Sequence, residues 1–192
     1  FRKDGNNFII YSGKEGDSVT IQDFFKGTYY EIENFVFADK TVALEHFRQN
    51  GLIFDGTEAN DTITTWNNKS IVYAGAGDDT VNASIYVDVL DGGAGNDKLY
   101  GKDGNDTLIG GTGNDHLDGG YNGDTYIFAK GHGHDVIYDY SASTGGADSI
   151  QFTDVKLEEA KFRKDGNNFI IYSGEEGDSV TIQDFFKGTY YE

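Results

Sequence analysis

The chain has 192 residues, 37% of them apolar and 15% aromatic, which is enough for one or two domains with a real core and too much for wholesale disorder. Its 33 acidic residues against 15 basic ones leave a formal charge of -18, so nucleic acid and anionic membranes are poor partners and a cation is the natural counterpart. There is no cysteine, which excludes disulfides and thiolate metal sites, and no apolar run long enough for a transmembrane helix.

The first 31 residues, FRKDGNNFIIYSGKEGDSVTIQDFFKGTYYE, return as residues 162–192 with 30 of 31 positions matching, Lys14 standing against Glu175. The offset is 161 residues, so the sequence reads as one period plus 31 residues, a window on a longer tandem array. Inside the repeated element NFIIY and SVTIQDFF alternate apolar with polar residues around a glycine-containing turn, the pattern of a β-hairpin. IENFVFAD follows as extended chain. TVALEHFRQNG then predicts one short helix over 41–49, with Thr41 as N-cap and Gly51 as stop.

From Gly56 to Ile127 the chain divides without a gap into eight nonapeptides: GTEANDTIT, TWNNKSIVY, AGAGDDTVN, ASIYVDVLD, GGAGNDKLY, GKDGNDTLI, GGTGNDHLD and GGYNGDTYI. The sixth position holds Asp61, Ser70, Asp79, Asp88, Asp97, Asp106, Asp115 and Asp124; the eighth holds Ile63, Val72, Val81, Leu90, Leu99, Leu108, Leu117 and Tyr126. One inward apolar residue in nine, flanked by β-prone residues, makes a strand of about three residues that cannot bury itself alone, so coils must stack. Glycines at the first, second and fourth positions let the intervening residues turn sharply and gather carbonyl oxygens. Carbonyls and a carboxylate are hard ligands suited to calcium, and no soft or nitrogen ligand recurs with this period. A flexible linker has no reason to keep glycine in phase with apolar residues, and no EF-hand loop is present.

These units match GGxGxDxUx, and the chain resembles the RTX family of secreted Gram-negative exoproteins. The flank NNFIIYSGKEGDSVTIQDFF with IENFVFADKTV is similar to the segment found beside such repeats. The resemblance implies an all-β fold: a calcium-bound parallel β-roll solenoid, two nonapeptides per turn, flanked by β-hairpin capping elements with one short helix. It assigns residues 1–55 to a flanking cap belonging to a preceding roll, 56–138 to the roll and 139–192 to a second, truncated cap. Calcium between successive turns is then held by Asp61, Gly75, Gly77, Asp79, Gly92, Gly93, Ala94, Gly95, Asp97, Gly101, Asp103, Gly104, Asp106, Gly110, Gly111, Thr112, Gly113, Asp115, Gly119, Gly120 and Asp124. The odd units have an aspartate in every sixth position, whereas TWNNKS and ASIYVD lack glycine, which confines even-side sites to the C-terminal half and gives about three to five ions in all. After Ile127, GHGHD and GGAD echo the motif out of register; His132 and His134 read as structural loop residues and not as a transition-metal pair.

Twelve acids against three bases in residues 56–127 repel one another without a cation, so this segment is expected to stay expanded until calcium binds. Three or four sites of about 0.1 mM affinity at about 1 mM calcium contribute roughly 4 to 6 kcal/mol, similar to the stability of a small domain. The family resemblance implies export by a type I secretion apparatus, an extracellular location and folding on contact with external calcium. It leaves open a toxin or cytolysin-type parent, a structural repeat of a large adhesin with neighbouring copies as partners, and a host-cell surface target. No GxSxG, HExxH or paired-carboxylate setting suggests an enzyme.

Overall fold

The computed structural model describes residues 2–4, 7–11, 18–24, 32–39, 41–139, 146–174 and 176–187. Strands β1 (Arg2–Asp4), β2 (Asn7–Tyr11) and β3 (Ser18–Ile21) form an antiparallel meander. A second hairpin, β4 (Asn34–Val36) and β5 (Thr41–Ala43), leads into helix α1 (Leu44–Asn50). The helix starts three residues later than the sequence suggests, because Thr41 and Val42 are β-branched and pair with β4. Ala43 is the N-cap and gives no side-chain hydrogen bond, while Gly51 ends the helix at φ 85°, its N–H on Phe47 O at 3.0 Å.

The solenoid follows as β6 (Leu52–Thr57), β7 (Thr62–Thr64), β8 (Ser70–Ala76), β9 (Thr80–Asn82), β10 (Val89–Ala94), β11 (Lys98–Asp103), β12 (Thr107–Thr112), β13 (His116–Tyr121), β14 (Thr125–Phe128), β15 (His134–Ile137) and β16 (Ser149–Phe152). The C-terminal element supplies β17 (Lys161–Asp165), β18 (Asn168–Tyr172) and β19 (Ser179–Ile182). Alternate strands fall into two parallel sheets, one ordered β16-β14-β12-β10-β8-β6-β1-β2-β3 and the other β17-β18-β19-β15-β13-β11-β9-β7. Leu90 pairs with Val72 on one side and Leu108 on the other, and Leu99 pairs with Val81 and Leu117, so two nonapeptides make one turn. Most strands in the glycine-rich coils are six residues long and not three, because each runs on through the first three positions of the next unit.

The eighth-position side chains meet between the sheets. Val72, Val81, Leu90, Leu99, Leu108 and Leu117 have no exposed surface, and each leucine contributes about 1.5 to 3 kcal/mol by burial. Tyr126, Phe128 and Ile137 continue this core towards the C-terminus. At the other end Phe8 packs on Phe24, Phe35 and Phe47 with ring centroids 5.0, 5.6 and 5.4 Å away, and Trp66 meets Phe24 edge-on.

The parallel stack is longer than the span 56–138. It begins with β6 at Leu52 and gains a last coil from β16 and β19, which pair with β14 and β15. The two repeated elements lie at opposite ends of this one roll: β1 pairs with β6, Arg2 opposite Ile53, and β19 pairs with β15. The N-terminal copy, which the sequence assigns to a preceding roll, is thus seated on the first coil of this one. Strands β1 and β17 carry no alternating apolar pattern, so hydrophobic periodicity does not reveal them; β1 pairs with β2 and β17 with β18.

Candidate metal centre

The sixth-position aspartates occupy the corners between strands, and from Asp79 onward the Oδ1 of each ties its coil to the coil before it. The N–H of Asp61 donates to Asp79 Oδ1 at 2.7 Å, Asp79 to Asp97 at 2.8 Å, Asp97 to Asp115 at 2.8 Å and Asp115 to Asp135 at 2.9 Å. On the other side Ser70 donates to Asp88 at 2.5 Å, Asp88 to Asp106 at 2.7 Å, Asp106 to Asp124 at 2.8 Å and Asp124 to Asp148 at 3.0 Å. Of these acceptors Asp79, Asp88, Asp97, Asp106, Asp115, Asp124 and Asp135 are at most 2% exposed, while Asp148 is exposed.

The second carboxylate oxygen divides the aspartates into two groups. In Asp61 it accepts from Thr57 N–H at 2.7 Å and Thr57 Oγ1 at 2.8 Å, and in Asp88 from Ser84 N–H at 3.0 Å and Ser84 Oγ at 2.9 Å. In Asp79, Asp97, Asp106, Asp115 and Asp124 it is buried without a hydrogen-bond partner among the described residues. The cause is the second position of the unit. Thr57 and Ser84 stand there in the first group; in the second, Gly75, Gly93, Lys102, Gly111 and Gly120 have φ of 112°, 94°, 79°, 102° and 99°. That left-handed turn leaves the carboxylate without the N–H and hydroxyl that Thr57 and Ser84 supply, and glycine adopts it without penalty.

What replaces those donors is another oxygen. A Cβ placed on Gly101 would meet Asp106 Oδ2 at 2.5 Å and Gly119 O at 2.6 Å, and one on Gly92 would strike Asp97 Oδ2 and lie 2.6 Å from Gly110 O. A carboxylate oxygen and the carbonyl of the next coil therefore converge on one small space beside a first-position glycine. A buried carboxylate oxygen that faces a carbonyl and has no donor of its own is costly unless a cation lies between them, and an all-oxygen set fits calcium.

The electrostatics agree. Burial pushes the carboxyls of Asp97 and Asp124 up to about 6, Asp115 to about 7 and Asp106 to about 8, against the lowering effect of the N–H each accepts. Asp79 and Asp88 are raised for the same reason. A divalent cation among these groups restores their charged form.

Of the residues expected to hold calcium, Asp79, Asp97, Asp106, Asp115 and Asp124 bring an orphaned oxygen to the corners. Gly92, Gly101, Gly110 and Gly119 are buried beside those oxygens. Gly75, Gly77, Gly93, Gly95, Gly104, Gly111, Gly113 and Gly120 supply the left-handed turns. Asp61 differs, its second oxygen being held by Thr57. Ala94, Asp103 and Thr112 are exposed at strand ends.

Three acidic residues beyond the strict register join the corners. Asp135 accepts Asp115 N–H through Oδ1, while its Oδ2 lies 2.5 Å from His132 Nδ1, and His132 Nε2 is 2.7 Å from Ser173 Oγ, so this side closes on an imidazole. His134 Nδ1 is 2.9 Å from Ser179 Oγ. On the other side Asp124, Asp139 and Asp148 bring ligand atoms within 4.8 Å of one another. Tyr126 donates to Asp139 Oδ2 at 2.8 Å and accepts from Gly119 N–H at 2.9 Å; Asp139 Oδ1 is orphaned, and burial raises this carboxyl to about 7. The signals were GHGHD and GGAD, which insertions shift out of phase: Asp115 is bound from 20 residues on and Asp124 from 24, not 18.

Comparisons with known proteins point the same way. The family described as RTX calcium-binding nonapeptide repeat (4 copies) matches residues 53–81, 73–108 and 100–137, and the haemolysin-type calcium binding protein related domain matches 7–42. The chain is similar to the iron-regulated protein FrpA of Neisseria meningitidis serogroup C, 36% identical over 61 residues, which is 31% of this chain and 6% of that protein. With coils of two nonapeptides, orphaned carboxylates at their corners and family matches over both repeats and flank, the chain belongs to the RTX family of haemolysin-type calcium-binding repeat proteins.

Proposed function

We propose that this chain is a calcium-folded structural module of a secreted, toxin-type bacterial exoprotein, exported by a type I apparatus and folded outside the cell. The observation that carries the reading is the set of five buried, unpartnered carboxylate oxygens at Asp79, Asp97, Asp106, Asp115 and Asp124. Without calcium they oppose the fold twice, by desolvation and by mutual repulsion within a chain of charge -18. A compartment poor in calcium thus keeps the chain extended, the form an export channel requires, and millimolar external calcium closes the roll. The ions are held by those five aspartates and the first-position carbonyls of the adjoining coils.

The test is circular dichroism of the full chain in chelator, then calcium, then magnesium. Calcium is expected to bring a cooperative β signal and magnesium little, since it resists dehydration and demands octahedral geometry. A chain equally folded in chelator refutes the reading. The duplicated element, identical at 30 of 31 positions, favours a second reading of the parent as a large adhesin built from such units. Sequence flanking this segment distinguishes the two: many further copies mean an adhesin.

A further inference from the structure

The repeated element folds the same way twice and is docked by opposite edges. In the N-terminal copy Lys3 pairs with Phe8 and Ile10 with Val19; in the C-terminal copy Lys164 pairs with Phe169 and Ile171 with Val180. Even the left-handed residue after β3 and β19 recurs, Asp23 at φ 56° and Asp184 at φ 58°. Yet the first copy joins the roll through its first strand, β1 on β6, and the second through its third strand, β19 on β15. Both junctions are parallel, and they extend different sheets.

Identical residues consequently have opposite fates. Val180 is completely buried under the last coil, whereas Val19, its counterpart on β3, is 62% exposed. Phe8 and Phe24 are 1% exposed in the first copy, and their counterparts Phe169 and Phe185 are half-buried. Every residue of β17, the counterpart of the docked β1, is exposed, including Phe162 at 53%. Phe8 and Phe24 owe their burial to Phe35, Phe47 and Trp66, whereas Val180 is buried at the roll junction itself, and among the described residues each copy leaves unpaired the edge that the other uses.

We propose that the meander is a two-edged coupler that seats the last coil of one roll on its third strand and the first coil of a following roll on its first strand at the same time. The occupant of the free β17 edge is a β6-type first coil, and that of the free β3 edge a β15-type last coil, each from a second copy of this repeat unit. The strand directions permit it. β15 is parallel to β19, β19 and β17 are both antiparallel to β18, and a β6-type strand joins the first strand in parallel, so one sheet runs without reversal of the roll strands from roll to roll. The exposed apolar residues Phe162 and Val19 are then covered by the neighbours, which also removes two open sheet edges.

The test is the full chain extended by a second copy of residues 32–192, which places the meander at 162–192 between two rolls, studied in saturating calcium. Amide exchange at Lys161–Asp165 is expected to slow by about tenfold or more relative to the unextended chain, while β15 and β19 keep their protection. Small-angle scattering is expected to show one fixed distance between the rolls. Unchanged exchange at 161–165 with freely jointed rolls overturns the proposal. So does protection gained at 161–165 but lost at His134–Ile137, which means that the meander serves one roll at a time. Failure of the calcium reading shows separately, as an unextended chain whose circular dichroism ignores calcium.

Discussion

The two aspartate classes make a sharp prediction when Asp97→Asn is set against Asp88→Asn. An asparagine replacing Asp97 keeps one oxygen to accept Asp79 N–H, but its amide group replaces the orphaned Oδ2 that lies beside Gly92 and Gly110 O. On the proposed calcium reading a ligand oxygen becomes a donor, and the expected outcome is the loss of one ion. Each bound ion adds about 1.4 kcal/mol of stability per tenfold rise in calcium above saturation, so five ions give a slope of about 7 kcal/mol and four give about 5.5. Asp88 has no orphaned oxygen: Ser70 N–H, Ser84 N–H and Ser84 Oγ occupy both. The Asp88→Asn side chain must turn its amide towards one of those donors, which costs about 1 to 3 kcal/mol at every calcium concentration and leaves the slope untouched. Urea denaturation at several calcium concentrations reads slope and offset separately, and calorimetry counts the ions. An unchanged slope for Asp97→Asn, or an equal fall for Asp88→Asn, refutes the assignment of the second oxygen to calcium.

Three further outcomes follow from the same geometry. Because burial raises Asp97 and Asp124 to about 6, Asp115 to about 7 and Asp106 to about 8, the calcium-free fold binds more protons than the unfolded chain between about pH 4 and 8. Its stability therefore falls as pH rises through that window, and calcium affinity falls as pH drops through it; dichroism in chelator and calcium titrations at about pH 8 and pH 5.5 check the two signs. Val180→Asp places a charge in a site with no exposed surface and is expected to cost about 3 kcal/mol or more, whereas Val19→Asp, 62% exposed, stays within about 0.5 kcal/mol, read as shifts of the calcium midpoint. Gly93→Ala forces a Cβ onto Gly75 O at φ 94° and is expected to cost several times the roughly 1 kcal/mol of Gly166→Ala, where φ is 61° and nothing lies within 4 Å, by urea melts in calcium.

The period of nine made most of the roll legible, because the apolar eighth position marks the core, and Leu90, Leu99, Leu108 and Leu117 are where the spacing put them; the two-unit turn came from the resemblance to the RTX family. The carboxylates were legible as a column, and the glycine-free ASIYVD set Asp88 apart, but Asp61 was expected to bind with the rest of its side. A hydroxyl residue at the second position, Thr57 or Ser84, marks the aspartates whose second oxygen is hydrogen-bonded within the chain, and that signal was present in GTEAND and ASIYVD. The terminal coil was harder. Asp135 and Asp148 depend on insertions that only three-dimensional pairing brings back into phase, and Asp139 enters through the Tyr126 hydroxyl, an apolar-column residue with a polar tip. Docking of the repeated element could not be read at all, since two nearly identical sequences make different junctions and only their neighbours differ.

The Oδ1 contacts between coils have a polarity. Asp79 serves the amide of Asp61, Asp97 that of Asp79, Asp115 that of Asp97 and Asp135 that of Asp115; in each case the acceptor belongs to the later coil. The other corner runs the same way, from Asp148 back to Ser70. The aspartate amide of a coil is therefore satisfied by the coil after it, while the amide that follows needs the coil before it, as in Lys98 N–H to Asp79 O at 2.9 Å and His116 N–H to Asp97 O at 2.8 Å. Loss of the Asp115 carboxylate orphans the amide of Asp97, while loss of the Asp79 carboxylate leaves the amides of Asp97 and Asp115 with their own acceptors. An aspartate side chain removed from one corner thus leaves its mark on the amide one coil upstream, so cause and effect are a full turn apart along the roll.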